Sequence, residues 1–357
     1  MSQSIDFRSD NVGTVSPEIL DAVRSANVGP AAAYGEDEWT QLLNARFGEL
    51  FENKVAVFPV STGTAANAIA LSTLSPPYGA IYCHETAHVH TSEIGATELF
   101  SGGAKLVLIG GTGHRLHAGD VERAVAQAGR GQRHKVQPAA ISVTQATEYG
   151  TVYRLDEIAA IGELARKRSL SLHMDGARFA NALATLGCTP ADMTWRIGVK
   201  ALSFGATKNG GMSCDAIVLF DFDRLDDLAY RLRRAGQTWS KMRFAAAQLI
   251  AYVSDGLYLR SARRANALAT RLADGLRRIP SCSVVAPVEA NEVFVRLPEG
   301  VADQLAAEGF QFYLREQGMI RLVCRMDGAE GDVDRLLTAL QPACSGSPSR
   351  AAGHEHG

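Results

Sequence analysis

The sequence predicts an α/β fold, a mainly parallel sheet with helices on both faces, followed by a smaller α+β C-terminal domain. Two observations carry this. Up to about residue 240, short and nearly continuous apolar runs alternate with segments of helical periodicity, as strands buried on both faces and their crossover helices require. Beyond that point the texture changes to one long amphipathic helix and strands of strict period two.

In chain order, Ser16-Pro17-Glu18 offers an N-cap, a proline at the first helical position and an acid in the first turn, so a helix starts there. Residues 55–60 are a strand running into Ser61-Thr62-Gly63-Thr64, and small residues at helical spacing follow through Leu74. Residues 80–83, 105–109 and 139–143 are further strands. Leu155, Ile158, Ala159, Gly162 and Ala165 form a helix face that leads into a strand over 170–175, and strands at 201–204 and 216–220 follow. Ala265, Leu268, Leu272, Leu276 and Ile279 mark the long helix. Residues 291–297 and 320–325 alternate with period two, predicting a small sheet with one wet face. The expected organisation is a large domain with an N-terminal arm over 1–245, a small domain over 246–342 and a disordered tail over 343–357.

Composition bounds the function. Lys+Arg 36 against Asp+Glu 38 gives a formal charge of -2 in 357 residues, so no basic field exists to hold nucleic acid or an anionic membrane. Six cysteines without a CxxC pair are too sparse for a disulfide scaffold and read as free thiols of a reducing cytoplasm. The polar first six residues are no signal peptide, and no apolar run approaches the ~18 residues of a membrane span. A cytoplasmic enzyme or binding protein for small molecules is expected.

Three sites can carry chemistry. Asp175 ends an apolar strand, where a carboxylate serves as a metal ligand, a general base, the partner of a protonated ring nitrogen, or simply a helix cap. Lys208 follows another buried strand among small residues, with Gly210 and Gly211 beside it; a desolvated lysine there can act as a Schiff-base nucleophile. Ser61-Thr62-Gly63-Thr64-Ala65-Ala66-Asn67 stands at a strand-to-helix junction that either caps a buried helix or aims N–H groups at phosphate. It is neither a Walker sequence nor a dinucleotide fingerprint. A phosphate cup, an Asp for a pyridinium and an imine-forming lysine together are what pyridoxal 5'-phosphate needs.

With Asp6-Phe7-Arg8-Ser9-Asp10-Asn11, Tyr34-Gly35-Glu36-Asp37, Ala87-His88, His173-Met174-Asp175-Gly176-Ala177-Arg178 and Ile320-Arg321-Leu322-Val323, these motifs resemble the threonine aldolase (β-eliminating lyase) family of fold-type I pyridoxal-phosphate enzymes over about residues 6–340. More narrowly, the chain is similar to the low-specificity L-threonine aldolase and L-phenylserine aldolase branch. The resemblance implies that Lys208 holds the cofactor covalently and Asp175 pairs with its pyridine nitrogen. It implies further that Gly63 and Thr64 bind phosphate with Thr62 and Thr207 nearby, and that His88 stacks on the ring. Ser9, Arg178 and Arg321 would grip the substrate carboxylate, Arg178 also lying close to the cofactor, and Arg243 would reach a neighbouring subunit's phosphate. Where family members often carry a histidine near the substrate hydroxyl, this chain has Glu148, so His88 and Glu148 are the candidate bases. His84, His88 and His90 have a spacing that could hold zinc, but no fourth ligand motif accompanies them, and no metal is expected.

The implied activity is retro-aldol cleavage of 3-hydroxy-L-amino acids (L-threonine, L-allo-threonine, phenylserine) to glycine and an aldehyde, in a homodimer or homotetramer with sites at a subunit interface. The alternatives are another pyridoxal-phosphate reaction on the same scaffold, β-elimination or transamination, or a cofactor-binding protein without turnover.

Overall fold

A computed structural model describes residues 4–345. The chain enters through β1 (Ile5–Asp6) and the helices α1 (Pro17–Ala26) and α2 (Glu38–Phe51). Seven strands then build the main sheet: β2 (Ala56–Val60), β3 (Gly79–His84), β4 (Lys105–Ile109), β5 (Gln137–Thr144), β6 (Ser171–Gly176), β7 (Val199–Phe204) and β8 (Asp215–Leu219). Their order is β2-β8-β7-β6-β5-β3-β4, and β8 alone runs against its neighbours. The sheet is mainly parallel, as expected, because helical crossovers return the chain to the same edge.

The helix α3 (Gly63–Leu74) shows why the fold closes as it does. Its sequence GTAANAIALSTL is small and apolar around its whole circumference, so it lies wholly inside, and every residue from Ala66 to Leu74 is buried. It packs on the sheet with the helices Ala96–Ser101 and Leu225–Arg234 outside it. The opposite face is covered by α2 and Arg243–Val253, whose core includes Phe47, Phe51, Phe179, Phe204 and Tyr252.

The small unit is an antiparallel sheet of β9 (Ser283–Val284), β10 (Glu292–Arg296), β12 (Tyr313–Leu314) and β13 (Met319–Val323) in the order β12-β13-β10-β9. The helices Leu257–Arg277 and Glu330–Ser345 pack together against it around Leu272, Leu276, Val293, Val295, Leu322 and Leu336. β1 pairs in parallel with β11 (Phe310–Gln311), which ties the N-terminal arm to this unit.

Two expectations are corrected. Ser16 precedes α1, but its hydroxyl makes no capping bond; its backbone N–H donates to Gly210 O at 2.9 Å and so holds α1 against the loop after β7. The polar side of the small sheet is not uniformly wet: Glu292 is 1% exposed and Arg321 is half-buried, because this side also faces the large sheet. Alternation reports polarity, not whether water or a cleft lies opposite. Helix Glu330–Ser345 runs through the first three residues of the tail expected over 343–357; the rest of that tail lies outside the described residues.

Candidate active site

The carboxyl ends of the parallel strands open into a cavity of about 420 Å³ lined by Thr62, Gly63, Thr64, Asn67, His88, Asp175, Thr207 and Lys208, among others. This is where an α/β sheet places its ligands. Its floor is the start of α3. Thr62 caps that helix, its hydroxyl accepting from Ala65 N at 3.1 Å and its carbonyl from Ala66 N at 3.0 Å. The N–H groups of Gly63 and Thr64 find no acceptor among the described residues, so two donors at the positive end of a buried helix are left for an anion.

Asp175 stands at the end of β6 and is 3% exposed. Its Oδ1 accepts from Ala177 N at 3.0 Å and its Oδ2 from Asn67 Nδ2 at 2.9 Å. The helix-cap reading is thereby answered: the carboxylate turns back on its own loop and on α3. Asn67 also donates to Glu93 Oε1 at 2.8 Å, and the same oxygen meets His88 Nδ1 at 2.8 Å. One chain of hydrogen bonds therefore joins His88, Glu93, Asn67 and Asp175. The Glu93 hydrogen bond raises the His88 pKa against the opposing effect of burial, and burial raises that of Glu93.

Lys208 follows β7 in a short 3-10 turn, Thr207–Asn209; among the described residues its ammonium has no hydrogen bond or ion pair, and it acts on Asp215 by charge. The turn itself is held hard. Asn209 Nδ2 donates to Tyr252 Oη and to Tyr258 O, both at 2.8 Å, and Asp215 Oδ1 accepts from the N–H groups of Ala206 and Thr207. Gly210 closes the turn at φ 108, where a side chain would be strained. The backbone that carries Lys208 is thus fixed from both sides.

Arg178 lies just past Asp175, and its side chain is 5% exposed. Its Nη2 is 2.7 Å and its Nε 2.9 Å from Asp10 Oδ2, and its Nη1 is 3.1 Å from Glu292 Oε2. The two carboxylates keep it charged. Arg321, on β13, donates to Arg8 O at 3.0 Å and lies 3.6 Å from Glu292 Oε1. The arm and the small sheet thereby bring Ser9, Arg178 and Arg321 into one neighbourhood. Glu148 is half-buried and interacts electrostatically with His88, Arg178 and Glu292. Its neighbour Tyr149 stacks between His114 (3.5 Å between centroids) and Phe294 (4.7 Å), which pins this loop against β10.

Arg243 is not brought to the cavity within this chain; it donates to Gly29 O at 2.9 Å. His84 and His88 diverge, His84 bonding Thr86 at 2.8 Å, and His90 is exposed. Among the described residues no three His, Cys, Asp or Glu side chains form a metal-holding group. Sequence reasoning passed over Asp10, Glu93 and Glu292, and it gave Asn67 no role of its own. Asn67, the polar residue that ends the motif at the start of α3, carried a signal; the acids carried none, since a lone acid in a loop or alternating strand looks solvated.

The residues fit pyridoxal phosphate on these grounds: two unclaimed N–H donors at a helix start, a cavity-lining lysine with no hydrogen bond or ion pair among the described residues, and a buried carboxylate already fixed by two donors.

Comparison with known proteins agrees. Residues 6–299 match the family model for β-eliminating lyases. The chain is 41% identical to the low specificity L-threonine aldolase of a Pseudomonas species over 96% of its length and 99% of the relative's. It is 43% identical to the enzyme of that name from Pseudomonas aeruginosa, over 92% and 94%. Among solved structures, threonine aldolase of Leishmania major superposes with a TM-score of 0.89 at 26% identity, covering 96% of this chain and all of the other. Serine palmitoyltransferase of Sphingomonas wittichii, at 14% identity and a TM-score of 0.71, shares the fold.

Proposed function

The chain belongs to the β-eliminating lyase family, and from that premise we propose that it is a pyridoxal-phosphate-dependent aldehyde-lyase that cleaves 3-hydroxy-L-amino acids to glycine and an aldehyde. The observation that carries the reading is the convergence, on one cavity, of Lys208, Asp175 and the free N–H groups of Gly63 and Thr64, with Arg178 and Arg321 beside it.

When bound, pyridoxal phosphate supplies the electron sink for the pair released as Cα–Cβ breaks. Lys208 would hold the cofactor, Asp175 would keep its ring nitrogen protonated, and Gly63 and Thr64, with Thr62 and Thr207 nearby, would bind its phosphate. Asn67 keeps Asp175 in place. Arg178 and Arg321, with Ser9, would hold the substrate carboxylate, so that the bond to the hydroxyl-bearing carbon is presented for cleavage.

His88 would stack on the ring and take the hydroxyl proton. Its Nδ1 faces Glu93, which leaves Nε2 of the neutral imidazole as an acceptor. Glu148, which acts by charge on His88 and Arg178, is the other candidate base. Arg243 would act across a subunit boundary in a homodimer or homotetramer. No helix of the described residues is long and apolar enough to cross a membrane. The free thiols of Cys83, Cys188, Cys214 and Cys324 support a reducing compartment, the cytoplasm.

The test is Lys208→Ala. The variant should lose both the visible absorbance of covalently held cofactor and the release of aldehyde and glycine from L-threonine. Retained turnover with an unchanged spectrum would sink the assignment. Ammonia or keto acid appearing in place of aldehyde would transfer it to another reaction of the same cofactor.

A further inference from the structure

A carboxylate clamp meets its ligand best with uncommitted cationic donors, yet both arginines here already face carboxylates. Arg178 gives Nε and Nη2 to Asp10 and sets Nη1 3.1 Å from Glu292, while Arg321 Nη1 lies 3.6 Å from the other Glu292 oxygen. The two acids are held very differently. Asp10 accepts hydrogen bonds from Arg178 and, through Oδ1, from Asn291 Nδ2 at 2.6 Å. Among the described residues both Glu292 oxygens are buried without any hydrogen bond, and so is Nε of Arg321. Glu292 touches the arginines through charge alone, and a buried carboxylate without hydrogen bonds is costly to keep.

The groups facing Glu292 come from four elements: Arg178 after β6, Arg321 on β13, Asp10 in the N-terminal arm and Glu148 after β5; Arg315 acts in turn on Arg321. Two cations at the clamp thus face three carboxylates before any substrate arrives. A fourth carboxylate would enter a site already negative, unless one of the three gives up its charge.

We propose that Glu292 is the clamp's internal occupant: the substrate carboxylate takes its place beside Arg178 Nη1 and Arg321, and the displaced Glu292 carboxyl takes up one proton. The proton comes from solvent and forms an O–H bond on Glu292; the substrate enters as the anion, and no other bond changes. This rests on reading Arg178 and Arg321 as the substrate's carboxylate clamp.

Burial pushes the Glu292 pKa up to about 7, the two arginines pulling it down and Glu148 and Asp10 pushing it further up. Below that pH the free enzyme carries a neutral Glu292 and an open clamp. Above it, each pH unit weakens carboxylate binding about tenfold, because the proton must be taken up from a scarcer supply.

The experiment titrates holoenzyme with glycine and reads the dissociation constant from the change in cofactor absorbance, for the wild type and Glu292→Gln between pH 6 and 8.5. The ratio of the two constants cancels the titration of glycine and of the cofactor. It should stay near one at pH 6 and reach on the order of thirtyfold in favour of the variant at pH 8.5. In unbuffered solution at pH 8, the wild type should take up about one proton per site more than the variant on binding glycine. Should Glu292→Gln fail to fold, uptake by the wild type must be greater at pH 8 than at pH 6. A ratio independent of pH, or uptake equal in the two proteins or at the two pH values, overturns the proposal. Arg321→Lys separates this from failure of the clamp itself. If it weakens glycine binding, the clamp stands whatever Glu292 does; if it leaves binding unchanged, the clamp reading falls and the proposal with it.

Discussion

Glu93→Gln isolates the electrostatic support of His88. In the wild type one oxygen, Glu93 Oε1, meets both Asn67 Nδ2 and His88 Nδ1 at 2.8 Å, and the other has no partner. A glutamine of the same shape can present its carbonyl oxygen to both groups, so the change removes charge and keeps the bonds. Hydrogen bonds to a charged group contribute about 1.5–3 kcal/mol and neutral ones about 0.5–1.5 kcal/mol, a difference of roughly 1–1.5 kcal/mol. At about 1.4 kcal/mol per pKa unit this is about one unit. The His88 side chain is 33% exposed, so water screens part of the effect and one unit is the upper figure. The sign follows from the cause: Glu93 raises the His88 pKa, so the variant lowers it, and the basic form of His88 persists to lower pH. The acid limb of kcat/KM against pH for L-threonine should therefore move down by up to about one unit. An acid limb that stays in place, or moves up, refutes the role of Glu93 in setting His88. Glu93→Ala is the contrast: it strands the buried Asn67 Nδ2 at roughly 1–3 kcal/mol and the part-buried His88 Nδ1 at less, and should lower Tm as well.

Other outcomes follow from the same geometry. Arg178→Met removes the cation nearest to both Asp10 and Glu292 and leaves them only Asn291 and the more distant Arg321, a loss of up to about 3–5 kcal/mol. That loss should be greater at pH 8 than at pH 5, since low pH lets Glu292 neutralise itself; urea unfolding at the two pH values checks it, and equal losses would contradict the charge argument. Leu71→Ala opens a void in α3, where Leu71 is fully buried, and should cost about 2–5 kcal/mol in thermal unfolding. Because α3 also presents Gly63 and Thr64, cofactor affinity should fall with it; an unchanged affinity would mean that the start of the helix is held independently of its core.

Much of the site was legible because its signals are local. Lys208 and Asp175 each follow a buried strand, and the Ser61–Asn67 stretch joins strand to helix, so position in an α/β pattern placed all three at the same edge of the sheet. Glu93 and Glu292 left no such trace. Glu93 is a polar residue in an irregular loop, and it matters only because β3 and α3 bring His88 and Asn67 to it. Glu292 sat in an alternating strand whose polar side was read as wet, and nothing within five residues of it says that Arg178 stands opposite.

The sequence by itself determined the alternation of strands and helices, the buried character of α3, and the placing of the lysine, the aspartate and the turn at the start of α3 on one edge of the sheet. These follow from periodicity and from residue chemistry within a few positions, which the backbone makes local. Only the tertiary structure decided which charges neutralise one another. Asp10 reaches Arg178 from 168 residues away and Glu292 reaches it from the other unit, so the charge state of this cluster depends on burial and on distances of about 3 Å that no linear pattern encodes.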